Sequence, residues 1–475
     1  MKRYEQLADE MGEQVRNGSL RAGERLPSVR EVSASRRVSP STVFKAYYLL
    51  EARGLIEARP RSGYFVTART AKPRAEPAAN AAAEQAQSVA VSELVFQVLG
   101  HARQQDLVPL GSAFASPALF PLAPLARSVG RALRRLDPWR TVEDLSPGSE
   151  TLRRQIALRY LAAGSSVDAT EIVITNGAME ALNLCLEALT QPGDLVAIEA
   201  PCFYAALQAL ERRGLRAVEV ATNPRSGVDL ASLRAVLARY PVKACWFMPN
   251  FQNPLGSLMP EERKRELVAI LAERGIPLIE DDVYAELYFG RHRPLPAKAF
   301  DQRGLVLHCG SFSKSLAPGY RVGWTAAGRF AGEIARRKLM SSLATALPSQ
   351  EGISDYLQQG GYDRHLRQLR HTLSMHQAKV LRAIAKHFPP GTRVTQPEGG
   401  YFLWVELPGS INALQLHRLA LSQQISVAPG QLFSADQRFA SFLRLNCGHP
   451  GDRRSEQAIK TLGQIARSLA EGEAR

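Results

Sequence analysis

The sequence predicts an α/β protein in two unequal parts: a small N-terminal winged helix-turn-helix, then a large domain on a mostly parallel sheet. Three observations predict it. The first seventy residues show apolar spacing of helical period followed by two short apolar runs around a basic, glycine-containing turn. From Glu171 onward, strand-like apolar runs alternate with helical stretches, an order that argues a parallel sheet with ligands at the strand ends. Between the two parts lies a stretch of Ala, Pro, Gln and Glu that has too few apolar residues to bury a core.

In the N-terminal part, Leu7, Met11 and Val15 recur at helical spacing, and Asn17-Gly18 supplies a helix stop. Ser28 is a candidate N-cap of a second short helix, with Glu31 at the capping-box distance. Val38-Ser39-Pro40 opens a third helix, since proline is tolerated in a first turn, and Val43, Tyr47 and Leu50 form its buried stripe. Gly54-Leu55-Ile56 and Tyr64-Phe65-Val66 flank Arg59-Pro60-Arg61-Ser62-Gly63 as a hairpin, or wing. A helix enters a major groove with its N-terminal residues towards the base edges, so Ser39, Ser41, Thr42 and Lys45 are candidate readers. Arg30, Arg37, Arg59 and Arg61 are candidate phosphate or groove contacts. For any one arginine a solvated basic face is an equal reading; the set together favours DNA. Phe44 stands where a polar residue is expected, and both a thymine-methyl contact and plain packing stay open. Leu26-Pro27-Ser28-x-Arg30, Val38-Ser39-x-x-Thr42-Val43 and Arg61-x-Gly63-x-x-Val66 together resemble the GntR family of bacterial transcription regulators. That resemblance implies double-stranded DNA as a partner.

The chain has 475 residues, enough for two or three domains, with 45% hydrophobic and 22% charged residues. Its formal net charge is +15, which suits a polyanionic partner. The excess is concentrated at the front, where residues 1–75 carry 15 Lys+Arg against 8 Asp+Glu. The five cysteines are odd in number and widely spaced, which argues against a disulfide framework. The start is basic without an apolar run behind it, and no stretch of about 18 apolar residues exists to span a membrane. A cytoplasmic protein with no membrane partner is expected. The histidines show no ligand spacing, so no metal is assigned. The expected domains are residues 1–70 for the DNA reader, 71–94 for a linker and 95–475 for the large domain. From Thr70 to about Val89 the linker reads as a flexible or partly helical tether, with Ala81–Ala86 open to helix.

In the large domain, Val91–Val98 is helical and Gly111–Pro117 is a small-residue loop. Ser146-Pro147-Gly148 is a turn before a helix, and Ile172–Thr175 is a strand running through the small-residue turn Asn176-Gly177-Ala178-Met179 into a helix. Leu195–Glu199 and Val242–Met248 are strands, the first followed by Phe203 and the second by an Asn253-Pro254-Leu255-Gly256 turn. A helix over Glu261–Glu273 precedes Pro277-Leu278-Ile279, which leads to Asp281-Asp282-Val283-Tyr284. Leu305–His308 is a buried strand leading into Ser311-Phe312-Ser313-Lys314, and Pro318-Gly319-Tyr320-Arg321 follows. Ala331–Ser374 is strongly helical, and Gly399–Val405 and Phe442–Asn446 are later strands.

Asn253, Asp281, Tyr284 and Lys314, with successive gaps of 28 residues from 253 to 281 and 33 from 281 to 314, resemble the fold type I aminotransferases. The resemblance implies pyridoxal 5'-phosphate as cofactor and gives each residue a chemical role. Lys314 would join the cofactor aldehyde as a Schiff base, and Asp281 would keep the pyridine nitrogen protonated. Register with Tyr284 favours Asp281 over its neighbour Asp282. Tyr284 and Asn253 would donate to the ring's phenolate oxygen. Gly177, Ala178, Met179, Ser311 and Arg321 would hold the phosphate, although Met179 is equally a core residue. Phe203 would stack on the ring. Arg444 would bind a substrate carboxylate through a fork of two hydrogen bonds, the other reading being a surface charge. One departure stands out. Many relatives carry a tyrosine before the glycine of the Pro-Gly turn, reaching the partner subunit's phosphate, where this chain has Val142-Glu143-Asp144-Leu145.

The two resemblances together match the MocR subgroup of GntR regulators. They imply a homodimeric transcription regulator that senses an amine or amino acid through aldimine exchange at Lys314. The alternative is a working aminotransferase with an attached DNA-binding domain.

Overall fold

The computed structural model describes residues 3–17, 19–21, 23–59, 62–67, 74–79, 86–99, 107–409, 411–449 and 452–472. Helix α1 (Arg3–Arg16) buries Leu7, Ala8 and Met11. Helix α2 (Val29–Arg36) starts at Ser28 with both capping-box bonds in place: the Glu31 amide donates to Ser28 Oγ at 3.3 Å, and the Ser28 amide to Glu31 Oε2 at 2.6 Å. Helix α3 (Pro40–Ala52) buries Val43, Tyr47 and Leu50 completely, as the sequence pattern predicts. The Tyr47 hydroxyl finds the Pro27 carbonyl at 2.6 Å, so a buried polar tip is satisfied. Strands β1 (Ile56–Arg59) and β2 (Gly63–Val66) pair antiparallel as the wing. Gly18 of the helix stop and Arg61 of the wing lie outside the described residues.

The linker corrects its expectation. Arg74 donates to the carbonyls of Ala385, Phe388 and Pro389 at 3.2, 2.9 and 2.8 Å. Those carbonyls close a long helix and need donors from elsewhere. Glu76 accepts from the Gln396 amide at 2.9 Å, and Gln87–Ser88 adds a strand to the edge of the large sheet. Composition ruled out a core within this segment, and it docks on other elements instead. Residues 71–73 and 80–85, including most of the stretch read as open to helix, lie outside the described residues.

The large sheet has nine strands among the described residues. Arg216–Asn223, Leu195–Ala200, Val242–Phe247, Leu278–Asp281 and Val306–Ser311 follow in spatial order and run parallel. Gly323–Ala326 then runs antiparallel to Val306–Ser311, and Ile172–Thr175, antiparallel to it in turn, returns to the common direction. Leu195–Ala200, Leu278–Asp281 and Val306–Ser311 are buried end to end, because helices cover both faces. Lys314 sits in the connection where the last parallel strand gives way to the reversed one. A four-stranded antiparallel sheet of Arg393–Val394, Phe402–Glu406, Phe442–Asn446 and Ala428–Pro429 forms the second core, with the helices Ala413–Ser422 and Arg453–Gly472. The 27-residue helix Gly361–His387 spans from one core to the other, about 40 Å at the α-helical rise. No helix among the described residues is long and apolar enough to cross a membrane.

Candidate functional site

The strand Val306–Ser311 ends where its pairing with Gly323–Ala326 ends, and this delivers Lys314 to a pocket at the carboxyl ends of the parallel strands. Asp281 closes the neighbouring strand, paired in register with Cys309. Tyr284 lies at the head of a short 3-10 turn just beyond it. The Lys314 Nζ donates to the Ala113 carbonyl at 2.7 Å, 4.0 Å from the Phe114 ring centre and 5.8 Å from that of Tyr284. Burial, reinforced by Arg444, lowers its amine to about 7. A large share is then the neutral, nucleophilic form near pH 7. Burial and the adjacent Asp282 push the Asp281 carboxyl up to about 7. Burial pushes the Tyr284 phenol well above its ordinary range.

The two aspartates separate by their partners. Asp282 accepts from Asn250 Nδ2 at 3.0 Å and from His308 Nε2 at 2.9 Å. Trp324 Nε1 can only donate, and it donates to the Tyr160 hydroxyl at 3.0 Å. The Tyr160 proton therefore points to His308 Nδ1, 2.6 Å away, which leaves the histidine proton on Nε2 facing Asp282. Asn250 Oδ1 in turn accepts from Lys264 at 2.6 Å. Asp282 is thus enclosed in a satisfied network. By contrast Asp281 Oδ1, Asn253 Nδ2 and Arg444 Nε are buried without a hydrogen-bond partner among the described residues. Three such atoms gathered around Lys314, on Asp281 and Arg444 that also act on its amine and on Asn253 that is bonded to Arg444, point to a missing ligand. A ring bearing an N–H donor and a phenolate acceptor fits the free oxygen of Asp281 and the free donor of Asn253.

A cradle for a phosphate lies alongside. Gly177 has φ +81° and precedes the helix Ala178–Leu189, whose first amides face an anion. A Cβ at Gly177 would collide with the guanidinium of Arg321. Arg321 itself is left-handed at φ 52° and donates to the Asn176 carbonyl at 3.1 Å and to Ser313 Oγ at 3.5 Å. The Ser311 Oγ accepts from the Ser313 amide at 3.0 Å. Met179 packs against the main core cluster, the second of its two readings. Phe203 is half-buried against the aromatic cluster that holds Tyr284. Arg444 is fully buried, donating to the Gly111 carbonyl at 2.6 Å and to Asn253 Oδ1 at 3.1 Å. A surface charge is therefore excluded for it. Asn446, which the sequence reading missed, donates to the carbonyls of Ser112 and Phe114 at 2.8 and 2.7 Å and so fixes the Gly111–Phe114 loop. Nothing in an isolated Leu-Asn-Cys run signals that role.

At the other end, Arg30, Arg37, Ser41 and Lys45 are exposed on the winged helix. The Ser39 Oγ is engaged in capping α3, accepting from the Thr42 amide, and lies 2.9 Å from the hydroxyls of both Ser41 and Thr42. Arg59 pairs with Glu57 at 2.7 Å and lies over the Phe65 ring. Phe44 is 43% exposed and stacks on Tyr48.

This fold and this pocket define a pyridoxal-phosphate domain of the aminotransferase type joined to a DNA-binding winged helix. The family model for aminotransferase class I and II matches residues 145–462, and that for bacterial regulatory proteins of the gntR family matches residues 3–66. The chain is 46% identical over 465 residues to the HTH-type transcriptional regulator YdcR of Escherichia coli, covering 98% of this chain and 99% of that protein. It is 30% identical to 2-aminoadipate transaminase of Thermus thermophilus, over 78% of this chain and 93% of that enzyme. The solved structure of LysN, an alpha-aminoadipate aminotransferase of Thermus thermophilus complexed with N-(5'-phosphopyridoxyl)-L-leucine, superposes with TM-score 0.71 at 29% identity, covering 81% of this chain and 100% of that one. Kynurenine aminotransferase of Pyrococcus horikoshii, in complex with PMP, gives TM-score 0.72 at 27% identity, covering 80% and 95%. The chain belongs to the family of GntR-type regulators that carry a class I and II aminotransferase domain.

Proposed function

We propose that the protein is a cytoplasmic, homodimeric transcription regulator whose large domain senses an amine or amino acid by exchange at Lys314. We assign residues 1–70 to the DNA reader, 71–94 to the linker and 95–475 to the sensor. The observation that carries the reading is the trio of unpartnered buried atoms on Asp281, Asn253 and Arg444 around one lysine, in a chain that also holds a DNA-binding domain. Pyridoxal phosphate, when bound, supplies an aldehyde and an electron-withdrawing ring. Lys314 is the amine that would join it and that an effector amine would replace. Asp281 would hold the proton at the ring nitrogen, and Asn253 and Tyr284 would serve the phenolate oxygen. Gly177, Ala178, Ser311 and Arg321 would hold the phosphate, Met179 could add only its backbone amide because its side chain packs in the core, and Phe203 would cover the ring. Arg444 receives the effector's carboxylate.

A mechanical route to DNA supports sensing. Near its start, the helix Gly361–His387 places Tyr362 2.6 Å from Ser315 Oγ and His365 2.8 Å from the Ser315 carbonyl, one residue past Lys314. Further along, His371 meets the Tyr48 ring at 5.9 Å and Arg382 donates to the Glu51 carbonyl at 3.0 Å, both on α3. Two copies are favoured by exposed Val142, Leu145, Met340 and Leu343, which gather where the Ser146 amide meets the Leu343 carbonyl at 3.2 Å. On the reader, Arg30, Arg37, Arg59 and Arg61 take phosphates, and Ser39, Ser41, Thr42 and Lys45 face the bases.

DNA affinity measured with and without an effector amine tests the proposal. The wild type should respond and Lys314→Ala should not; an unchanged response in the variant removes the mechanism. A second reading, transamination, is favoured by Asp281 itself, since an electron sink is needed to break a C–H bond and not for exchange alone. In a single turnover with an amino acid, conversion of the bound cofactor to its pyridoxamine form would establish it.

A further inference from the structure

The loop Gly111–Phe114 passes three different anchors in four residues. At Gly111 the carbonyl meets the buried Arg444 guanidinium at 2.6 Å. Among the described residues no carboxylate pairs with that guanidinium, and it lies 4.3 Å from the Phe402 ring centre. A buried cation held only by carbonyl, amide and rings is a site for an anion. At Ala113 the carbonyl meets the Lys314 amine at 2.7 Å. At Phe114 the ring lies 4.0 Å from that amine and forms a wall of a cavity of about 670 Å³. This loop therefore brings an anion anchor, an amine anchor and a cavity wall together within four consecutive residues.

The cavity is lined by Phe114, Ala115, Pro117, Phe120, Leu122 and Tyr320, together with Ala317, Pro318 and Gly319 of the lysine loop and Ser349. None of these bears a charge. Its inner wall is firm: Ala115 and Phe120 belong to the buried cluster that contains Tyr284 and Tyr401. The nearest cation in sequence, Arg321, is turned away towards the Asn176 carbonyl and Ser313. The lining therefore offers a carboxylate or ammonium no charged partner, while its apolar residues gain by covering an apolar side chain.

We propose that the effector is an α-amino acid with a single carboxylate and a large apolar or aromatic side chain: the carboxylate on Arg444, the amine at Lys314, the side chain in the cavity behind Phe114. This rests on the sensing reading above and narrows it to a ligand class. A cavity of this size is in the range of small-molecule sites and takes a phenylalanine or leucine side chain with room to spare.

The test uses the full-length protein loaded with pyridoxal phosphate, titrated with L-phenylalanine, L-leucine, L-aspartate, L-glutamate, L-lysine and phenethylamine. Cofactor absorbance and the melting temperature are both read. L-Phenylalanine and L-leucine should half-saturate at concentrations at least about tenfold below the acidic and basic amino acids. Phenethylamine, lacking the carboxylate, should be weaker than L-phenylalanine by a similar factor. Leu122→Arg should reverse the order in favour of aspartate and glutamate. Acidic or basic amino acids binding as well as L-phenylalanine in the wild type would overturn the ligand class and leave sensing intact. So would an unchanged order in Leu122→Arg. A panel in which no amine of any class moves the absorbance would overturn the sensing reading, and the ligand class with it.

Discussion

At the scale of single residues, the site turns on which polar atoms lack partners. Asp281 and Asp282 are adjacent, identical in type and both buried, and only their surroundings separate them. Asp282 is committed to Asn250 and His308, while one oxygen of Asp281 is free. The order of Asn253, Asp281, Tyr284 and Lys314 was legible in the sequence, because cofactor chemistry fixes residue types at strand ends. The chain Trp324, Tyr160, His308, Asp282, Asn250, Lys264 was not, since it joins six distant segments and no local pattern marks it. The raised Asp281 carboxyl predicts a pH dependence in protein stripped of cofactor. The folded state keeps a proton that the unfolded chain loses, so this group's contribution to stability is lost as pH rises from about 4 towards 7. Asp281→Asn should melt with the wild type near pH 4 and progressively above it up to about pH 7, then by a constant margin. A pH-independent margin would contradict the assignment. Gly177→Ala forces a side chain into a left-handed position and against Arg321. It should lower stability by about 1–2 kcal/mol and weaken cofactor binding, measured by equilibrium dialysis.

At the scale of elements, the helices and the wing followed from caps and spacing. Ser28 and Glu31 form the capping box the sequence promised, and Ser28→Ala should cost the winged helix about 1 kcal/mol in denaturant titration. The parallel strands were equally legible as continuous apolar runs. The linker was misjudged for a physical reason. Arg74 and Gln87–Ser88 gain structure from partners more than a hundred residues away, the end of the helix Gly361–His387 and the strand Arg216–Asn223. The Gly111–Phe114 loop read as an ordinary turn apart from its family likeness. Its shape depends on Asn446, so Asn446→Ala should loosen it and weaken effector binding about tenfold or more, with little change in cofactor affinity, measured by calorimetry.

At the scale of the whole molecule, one helix touches both the lysine loop and the DNA reader. If that contact carries the signal, Tyr48→Ala should leave the cofactor spectrum and effector affinity unchanged while reducing the effector's influence on DNA affinity, read by fluorescence anisotropy. An effector response of full size in that variant would assign the coupling elsewhere. None of this was legible beforehand, because Tyr48 and His371 are ordinary helix residues until two domains meet. The assembly carries its own test: Met340→Glu places a charge in the exposed apolar patch and should shift the protein towards monomer in sedimentation.

All of these depend on the chemistry assigned to one side chain. Borohydride reduction of the protein loaded with pyridoxal phosphate, followed by peptide mapping, tests it most directly. The cofactor's mass should be found on Lys314. Its recovery on another lysine, or on none, would contradict the account.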